Sequence, residues 1–291
     1  MSTQSGRVAV VGARGFLGSQ LVASSVLASR GLDSYTSQTP VVQYGELARP
    51  MLETRTVYWV ASTCTPAVAS ADPTAVENDL RAFREFLSLV GRLKSPPRII
   101  LASSGGTVYS GIGRPPYSEQ SQVLGTTPYA RLKLAMEDSL TGYAGESLVL
   151  RLSNPYGPGQ PARKGQGVIP YWCQAIAEGR DPVIFGDATV ARDYIYIADA
   201  VEAFLASLFY DMSSPFEIFN IGSGVPVSLE ALSSIFSDQL GVTARREKGR
   251  SFDVGSTWLD VALARERLNW RASTPLDVGI ARTLERWGLR K

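Results

Sequence analysis

The chain has 291 residues, of which 44% are hydrophobic and 19% charged, so it is long enough to bury a substantial core. Its formal net charge is +2 and charges of both signs are interspersed, which argues against the basic stripe typical of nucleic-acid-binding proteins and fits a small phosphate-bearing ligand better. The sequence contains no histidine, which excludes histidine-based catalytic triads and histidine-ligated metal sites.

The two cysteines and the N-terminal residues indicate the cellular compartment of the protein. Cys64 and Cys173 lack the spacing of metal ligands, so we expect no metal site and a cytoplasmic protein. The opening residues MSTQSGR contain no secretory hydrophobic region, and no apolar run is long enough to cross a bilayer. We therefore expect neither a membrane nor a nucleic acid as a partner.

In the first half of the chain, apolar β-branched runs alternate with segments of helical period. The runs typical of buried parallel strands are 7–11, 56–61, 98–103 and 147–153. The helical patterns lie at 16–29, 73–93 and 128–143. This alternation predicts βαβ units, and hence an α/β fold with a Rossmann-type, doubly wound parallel sheet.

The pattern changes after a segment rich in glycine and proline at 153–167. The shorter elements that follow are a helix near 170–178, the strands PVIFG and YIYI, a helix over 199–210 and the strand FEIFNIG. We predict a first domain over residues 1–165, with a returning segment near 187–212, and a smaller C-terminal lobe over residues 166–291. Residues 270–287 are expected to pack as a helix that closes this lobe.

Three glycines, Gly12, Gly15 and Gly18, stand where the first strand meets the first helix. Without side chains, such a turn lets backbone N–H groups approach a phosphate at the positive end of a helix. The spacing differs from the standard G-x-G-x-x-G motif, so a turn needed only for close helix packing is the alternative. The position at the start of a βαβ unit favours a dinucleotide, with Phe16 and Leu17 among its contacts.

Tyr129 and Lys133 are four residues apart in the third predicted helix and therefore share a face. An ammonium close to a phenol stabilises the phenolate, and an oxidised nicotinamide nearby would add to this effect. The pair therefore predicts a proton shuttle. The alternative is a core tyrosine beside a surface lysine.

Several segments together resemble the extended short-chain dehydrogenase/reductases, and specifically the NAD-dependent epimerase/dehydratase family. They are the glycine turn, YARLK (129–133), SSGGTVYS (103–110), RDYIYIADA (192–200), RLSNPYGPGQ (151–160), GQGVIPYW (165–172) and FNIGSG (219–224). The resemblance implies a dinucleotide-binding first domain and a lobe that binds a nucleoside-diphosphate sugar. It also implies hydride transfer at C4 of a nucleotide-activated hexose, with Tyr129 passing the proton and Lys133 tuning it.

The turn after the third strand departs from the family pattern. The family carries a serine or threonine three residues before the valine of this turn, and its hydroxyl bonds the sugar oxygen, but this chain has Gly105 there. We expect Thr107 to supply the hydroxyl instead, or Ser104 in second place. A glycine pair needed only for the turn is the alternative for Gly105 and Gly106.

Two features favour NADP(H) over NAD. Dinucleotide folds usually place an acidic residue about 20 positions after the glycines, but here that count falls near Ser37 or Gln38, and Asp33 comes early. Arg14 resembles an arginine that faces the 2′-phosphate in NADPH-dependent members of the family, with a solvated loop arginine as the alternative. Further cofactor contacts implied by the resemblance are the backbone of Ala61 and Ser62, and Asn78, which aligns with an asparagine that orders the cofactor-side loops.

By resemblance, the nucleoside-diphosphate pocket would be lined by Asn154, the backbone around Val168, Arg192 and Arg250. Two arginines would neutralise most of the charge of a pyrophosphate through bidentate hydrogen bonds. The alternative for Arg192 is a structural pairing with Asp193 or Asp199.

The favoured function is the NADPH-dependent reduction of a nucleotide-linked 4-keto sugar. The alternatives are a nucleotide-sugar 4-epimerase that keeps NAD bound and a non-catalytic NADP(H)-binding protein, which Gly105 would permit. The Asp-Glu pair of the family's dehydratases is missing from the turn GGTVY, so we do not expect elimination of water. Relatives often dimerise through the helices that here are 73–93 and 128–143, so a homodimer is compatible with the sequence, although apolar residues there equally fit a core.

Overall fold

The structure is a computed structural model, and it describes residues 6–109, 113–162, 167–249 and 255–290. The strands are β1 Arg7–Val11, β2 Leu32–Tyr35, β3 Val42–Gln43, β4 Glu46–Leu47, β5 Thr54–Trp59, β6 Arg98–Ser104, β7 Ser147–Leu152, β8 Asn154–Tyr156, β9 Val183–Phe185, β10 Ala191–Tyr196, β11 Phe216–Ile221, β12 Pro226–Ser228 and β13 Arg245–Glu247. The α-helices are α1 Phe16–Val22, α2 Ser25–Ala28, α3 Pro66–Ala71, α4 Pro73–Val90, α5 Gly105–Val108, α6 Pro128–Thr141, α7 Val168–Ala177, α8 Ile197–Leu208, α9 Leu229–Leu240, α10 Ala262–Arg267 and α11 Leu276–Arg286.

Six parallel strands form the central sheet in the order β11-β7-β6-β5-β1-β2. The strand order reverses beside β1, since β2 lies on one side of it and β5 on the other. Helices cover both faces, so the predicted doubly wound α/β fold is confirmed. The carboxyl ends of β1, β5, β6 and β7 meet along one edge, where such sheets bind their ligands.

The edge strand β11 corrects one assignment made from the sequence. We placed FEIFNIG in the smaller lobe, but Phe216–Ile221 pairs in parallel with β7 along its whole length. Phe219 and Ile221 are fully buried in the core cluster that also contains Leu148 and Leu150 of β7. Within the expected returning segment near 187–212, α8 packs on the central sheet, whereas β10 lies outside that sheet and pairs with β8 and β12.

The predicted helix over 16–29 is wrong in one respect, because it is interrupted. Helix α1 ends at Val22, and Ser24 adopts an extended backbone as the N-cap of α2. By contrast, α6 begins where predicted, since Thr127 accepts a hydrogen bond from the Ala130 N–H and Pro128 occupies the first helical position.

Three large apolar clusters and a smaller one around Leu259 hold the described residues together. One lies between the sheet and α1, α8 and α10, and a second lies on the opposite face beneath α4 and α6. The third joins α7, α9 and α11 in the lobe and also takes in Phe16 and Leu17 of α1. Ile280 and Leu284 of the C-terminal helix are fully buried in it, although this helix begins at Leu276 and not at residue 270 as predicted. Among the described residues, no helix combines the length and the apolar character that a membrane crossing requires.

Candidate active site

The glycine turn packs directly on the loop that follows β5. Gly12 has a φ of +99°, and a Cβ atom there would lie 2.6 Å from the backbone N and Cα of Ala61. A Cβ on Gly18 would lie 2.1 Å from the carbonyl oxygen of Gly12, so α1 packs on the turn only because residue 18 is a glycine. Close packing therefore accounts for Gly12 and Gly18. Gly15 is exposed, which leaves the backbone of the turn accessible to a ligand.

The end of β2 carries neutral residues beside an arginine. The strand ends at Tyr35, and Thr36 and Ser37 follow it. The nearest carboxylate along this strand, Asp33, accepts hydrogen bonds at 2.9–3.0 Å from the Arg7 guanidinium. Arg14 is exposed and its Nη1 donates a hydrogen bond to Oε1 of Gln38, so a guanidinium lies at the end of β2.

The loop after β5 is ordered by Asp79. Its carboxylate accepts hydrogen bonds from the Ser62 hydroxyl at 2.7 Å, from the Thr63 hydroxyl at 2.7 Å and from the Thr63 and Cys64 backbone N–H groups. Burial alone would raise the pKa of the Asp79 carboxyl, but these hydrogen bonds outweigh burial and lower it.

We predicted Asn78 as a residue that orders the cofactor-side loops, but Asp79 makes the hydrogen bonds to this loop, and a role of Asn78 at the cofactor stays a prediction. Asn78 is exposed, and its side-chain oxygen accepts a hydrogen bond from Arg81 one turn along the same helix. Neighbouring helical residues point about 100° apart, so Asn78 faces away from the loop when Asp79 faces it.

The predicted pair of Tyr129 and Lys133 lies together on α6. Lys133 is 5% exposed, and its ammonium lies 5.6 Å from the centre of the Tyr129 ring. The ammonium donates a hydrogen bond at 3.1 Å to the carbonyl oxygen of Ala102 in β6. The alternative of a surface lysine is therefore wrong, and a buried positive charge lies next to the half-buried phenol.

A buried polar network ties α6 to the sheet one turn beyond Lys133. The Glu137 carboxylate accepts hydrogen bonds from the Ser103 hydroxyl and, at 2.6 Å, from the Arg151 guanidinium of β7. Arg151 also donates at 2.8 Å to the Tyr109 hydroxyl, which in turn donates to the Asn220 side chain. Burial alone would lower the pKa of Arg151, but the Glu137 carboxylate more than offsets burial and raises it.

The turn that lacks the family hydroxyl includes α5. A Cβ on Gly105 would lie 2.7 Å from Leu259 Cδ1 and 3.0 Å from the Arg151 carbonyl oxygen, whereas one on Gly106 would meet the Asn154 amide at an ordinary 3.6 Å. Neither glycine has a positive φ, so the backbone of the turn does not itself require them. Gly105 is needed for packing against Leu259.

The two hydroxyls predicted as replacements are half-buried in this turn. The Thr107 hydroxyl donates only a long hydrogen bond of 3.5 Å, to the Ser104 carbonyl oxygen. Ser104 is the N-cap residue of α5, but its side chain makes no capping hydrogen bond. Both hydroxyls therefore retain the capacity to bond a ligand, and their assignment stays a prediction.

On the lobe side, Asn154 begins β8 and Arg192 lies in the neighbouring strand β10. The Asn154 amide donates to the Asp193 carbonyl oxygen at 2.8 Å, and Arg192 donates to the carbonyl oxygens of Ala191 and Gly255. The carboxylate of Asp193 accepts from the N–H groups of Ser223, Gly224 and Leu259, and that of Asp199 accepts from Ser273 and Thr274, so other donors bind both proposed partners of Arg192. Val168 begins α7, and Arg250 lies outside the described residues.

The apolar residues of α4 are explained by the core. Phe83, Phe86 and Val90 are fully buried against Trp59 and its neighbours. Between α4 and α6 lies a surface cavity of about 490 Å³, bordered by Arg84 and Ser139. A homodimer through these helices stays a prediction.

The sequence of the chain matches that of a known family over most of its length. Residues 8–222 match the NAD dependent epimerase/dehydratase family. The chain belongs to this family. Its relatives include a dTDP-4-dehydro-6-deoxyglucose reductase of Escherichia coli, 38% identical over 194 residues that make up 65% of this chain and 60% of the relative. A UDP-glucose 4-epimerase of Mycolicibacterium smegmatis is 32% identical over 205 residues, 68% of this chain and 65% of the relative.

These matches span less than two thirds of the relatives' own lengths. Solved structures extend the likeness in fold to nearly the whole chain. MoeE5 in complex with UDP-glucuronic acid and NAD has a TM-score of 0.81 at 27% identity, covering 97% of this chain and 99% of that one. A UDP-glucose 4-epimerase from Thermotoga maritima has a TM-score of 0.82 at 24% identity, covering 97% and 98%.

Four residues of the site lie outside the residues predicted from the sequence motifs: Asp79, Glu137, Arg151 and Leu259. A signal existed for Asp79, because it follows a hydroxyl-rich loop, Ser-Thr-Cys-Thr, whose donors need an acceptor. A signal also existed for Glu137, which falls four residues after Lys133 on the same helical face. Leu259 carries no local signal, since its contact with Gly105 joins distant parts of the chain.

Proposed function

We propose that the protein is an oxidoreductase that uses NADP(H) to reduce a nucleotide-linked 4-keto hexose at C4. The observation that carries this proposal is the buried ammonium of Lys133. It donates a hydrogen bond to the Ala102 carbonyl oxygen, and it lies 5.6 Å from the centre of the Tyr129 ring. A buried ammonium is costly unless it has a role or a partner, and we propose that its role here is to assist the proton transfer by Tyr129.

The residues at the edge of the sheet fit a dinucleotide. The turn has no room for a side chain at Gly12, and at Gly15 the backbone is exposed and carries no side chain that would block a phosphate. When bound, the nicotinamide of the cofactor supplies the hydride that reduces the C4 carbonyl. Tyr129 donates the proton to the C4 oxygen, and Lys133 stabilises the phenolate that remains.

The preference for NADP(H) is supported by the charges at the end of β2. NAD-selecting folds place a carboxylate there for the ribose 2′-hydroxyl. In this chain Asp33 is bound to Arg7, and the exposed guanidinium of Arg14 stands beside Gln38. A guanidinium suits a 2′-phosphate, whose negative charge and paired oxygens attract it more strongly than a neutral 2′-hydroxyl does.

The reductase assignment is supported by the E. coli relative, which is named for reduction of dTDP-4-dehydro-6-deoxyglucose. The second candidate is a 4-epimerase that retains NAD, and the M. smegmatis relative and the NAD in the MoeE5 complex favour it. Asn154 and Arg192 are proposed to bind the nucleoside diphosphate in either case.

The decisive experiment has two parts. First, the nucleotide that copurifies with the protein is released by denaturation and identified by mass spectrometry, and stoichiometric NAD would favour the epimerase. Second, oxidation of NADPH and NADH is followed with dTDP- and UDP-linked 4-keto-6-deoxyhexoses, using wild type and Tyr129→Phe. Turnover by wild type that is absent in Tyr129→Phe supports the reductase. Cofactor binding without turnover in either protein would favour the non-catalytic NADP(H)-binding protein.

Arg14→Ala tests the choice of cofactor. Loss of a charged hydrogen bond to the 2′-phosphate is expected to weaken NADPH binding by about tenfold to a hundredfold and to leave NADH binding unchanged. Arg180→Ala is the matched control, because Arg180 is an exposed arginine that pairs with Glu178 beyond α7. Equal NADPH affinities in wild type and Arg14→Ala would remove the argument for NADP(H).

A further inference from the structure

One extended segment, residues 255–261, crosses between the lobe and the turn that contains α5. We name it the crossing segment. On one side Thr257 exchanges backbone hydrogen bonds with β10, donating to Ala191 at 2.9 Å and accepting from Asp193 at 3.2 Å. On the other side the Tyr117 backbone accepts from the Asp260 N–H at 2.8 Å and donates to the Trp258 carbonyl oxygen at 3.0 Å. The segment is thus bonded to both parts of the molecule.

Leu259 is the residue of this segment that reaches the turn. It is 1% exposed and packs in a small cluster with Val108, Tyr109 and Tyr117. Its Cδ1 and Cδ2 would lie 2.7 and 3.1 Å from a Cβ on Gly105, so the leucine fills the volume that a side chain at position 105 would need. Its backbone N–H points to the buried Asp193 carboxylate, at 3.4 Å.

The turn of residues 104–109, on which Leu259 packs, lies next to the helix that carries the proposed catalytic pair. Helix α5 contacts α6, which carries Tyr129 and Lys133, and β7. The half-buried hydroxyls of Ser104 and Thr107 belong to the same turn. Any shift of the turn therefore changes the distance between these hydroxyls and the C4 oxygen that Tyr129 is proposed to protonate.

We propose that Leu259 is a positioning residue for the reaction inferred above. By packing on Gly105 it fixes the turn of residues 104–109 against α6, and residues 105 and 259 share one volume. A larger residue at position 105 then requires a smaller one at position 259. This inference rests on the proposed function for its effect on turnover, but the shared volume is testable without turnover.

The test is a double-mutant cycle between Gly105→Ala and Leu259→Ala. Leu259→Ala leaves a cavity and is expected to lower the Tm by roughly 5–15 °C. Gly105→Ala alone is expected to lower it through overlap with Leu259. In the double variant the added methyl enters the cavity, so the fall in Tm is smaller than the sum of the two single falls, although the 3.0 Å approach to the Arg151 carbonyl oxygen remains.

Turnover provides the readout that a purely structural role would not move. Leu259→Ala is expected to lower kcat on the order of tenfold with little change in the KM for NADPH, and the double variant is expected to recover part of that loss. Leu232→Ala is the matched control, because Leu232 is a fully buried leucine in the lobe cluster with Phe236. It should lose stability but keep its kcat at temperatures well below its Tm.

Gly106→Ala is the control for the neighbouring glycine, where a methyl group has room beside Asn154, and its Tm should stay close to that of wild type. Additive changes in Tm would overturn the shared volume. A wild-type kcat in Leu259→Ala, or a loss that the double variant does not recover, would overturn the positioning role. If wild type turns over no 4-keto sugar, the proposed function and the positioning role both fail, while the Tm cycle still decides whether residues 105 and 259 share a volume.

Discussion

Removal of one partner of the buried pair Glu137 and Arg151 is expected to destabilise the protein strongly. The two side chains are 6% and 5% exposed, and their closest contact is 2.6 Å. Glu137→Ala leaves the Arg151 guanidinium in the interior with the Tyr109 hydroxyl as an acceptor and leaves the Ser103 hydroxyl without its acceptor. An isolated buried charge of this kind costs about 3–5 kcal/mol.

That cost is large compared with the whole stability of a protein domain, which is typically about 5–15 kcal/mol. Glu137→Gln keeps the shape and one acceptor oxygen, so we expect it to cost less than Glu137→Ala. Replacing both partners, as in Glu137→Met with Arg151→Met, removes the charge and its counter-charge together and fills the same space. The Tyr109 hydroxyl retains its bond to Asn220 in that variant, so the pair of substitutions should cost much less than the sum of the single ones.

The assay is equilibrium unfolding in urea, followed by tryptophan fluorescence and by circular dichroism to check that the transitions coincide. Wild type, Glu137→Ala, Glu137→Gln, the two single methionine variants and the double methionine variant are compared at one pH and salt concentration. Single variants that cost less than about 1 kcal/mol would refute the reasoning, because that is the range of exposed ion pairs. So would a double variant as unstable as the sum, since the two charges would then not be coupled.

Two further predictions concern the cofactor-side loops. Gly12→Ala should lower the free energy of unfolding by at least about 2 kcal/mol, because φ is +99° and the methyl group would overlap Ala61; Gly142→Ala, with open space and a negative φ, should be neutral or slightly stabilising in the same urea assay. Asp79→Asn should cost about 1–2 kcal/mol at neutral pH, at the lower end because the carboxylate is only half-buried. Hydrogen bonds hold the pKa of Asp79 below its ordinary value of 3.8, so its contribution is present above that pH and is lost as the pH falls through the folded value. A difference between wild type and Asp79→Asn that persists unchanged in strong acid would contradict this account.

The sequence predicts those features of the fold that depend on short stretches of chain. The strands Arg7–Val11 and Arg98–Ser104 contain apolar runs that can be buried on both faces. Thr127 with Pro128 marks the start of α6. Tyr129 and Lys133 come together because a helix places residues four apart on one face. Each of these depends on local geometry alone.

The features that escaped prediction depend on contacts between distant segments. The strand Phe216–Ile221 has the same apolar character whether it joins the central sheet or the lobe, and only its pairing with β7 decides between them. The contact of Leu259 with Gly105 likewise follows from the path of the crossing segment. Asn78 and Asp79 differ by one residue, and a shift of one residue along a helix is enough to select the wrong face.

The residues proposed to act on the sugar do not by themselves separate a reductase from an epimerase. Both reactions pass a hydride and a proton at C4, so Tyr129 and Lys133 would have the same roles in each. The reactions differ in what happens to the cofactor, since a reductase must exchange it at every turnover and an epimerase must retain it. The difference is therefore to be sought where we propose that the cofactor is held, at the exposed Arg14 beside Gln38 and in the loop that Asp79 orders. A variant in these two regions could change the rate of cofactor release and leave the rate of proton transfer by Tyr129 unchanged. Such a variant would show that residues at the edge of the sheet determine which of the two reactions the protein performs.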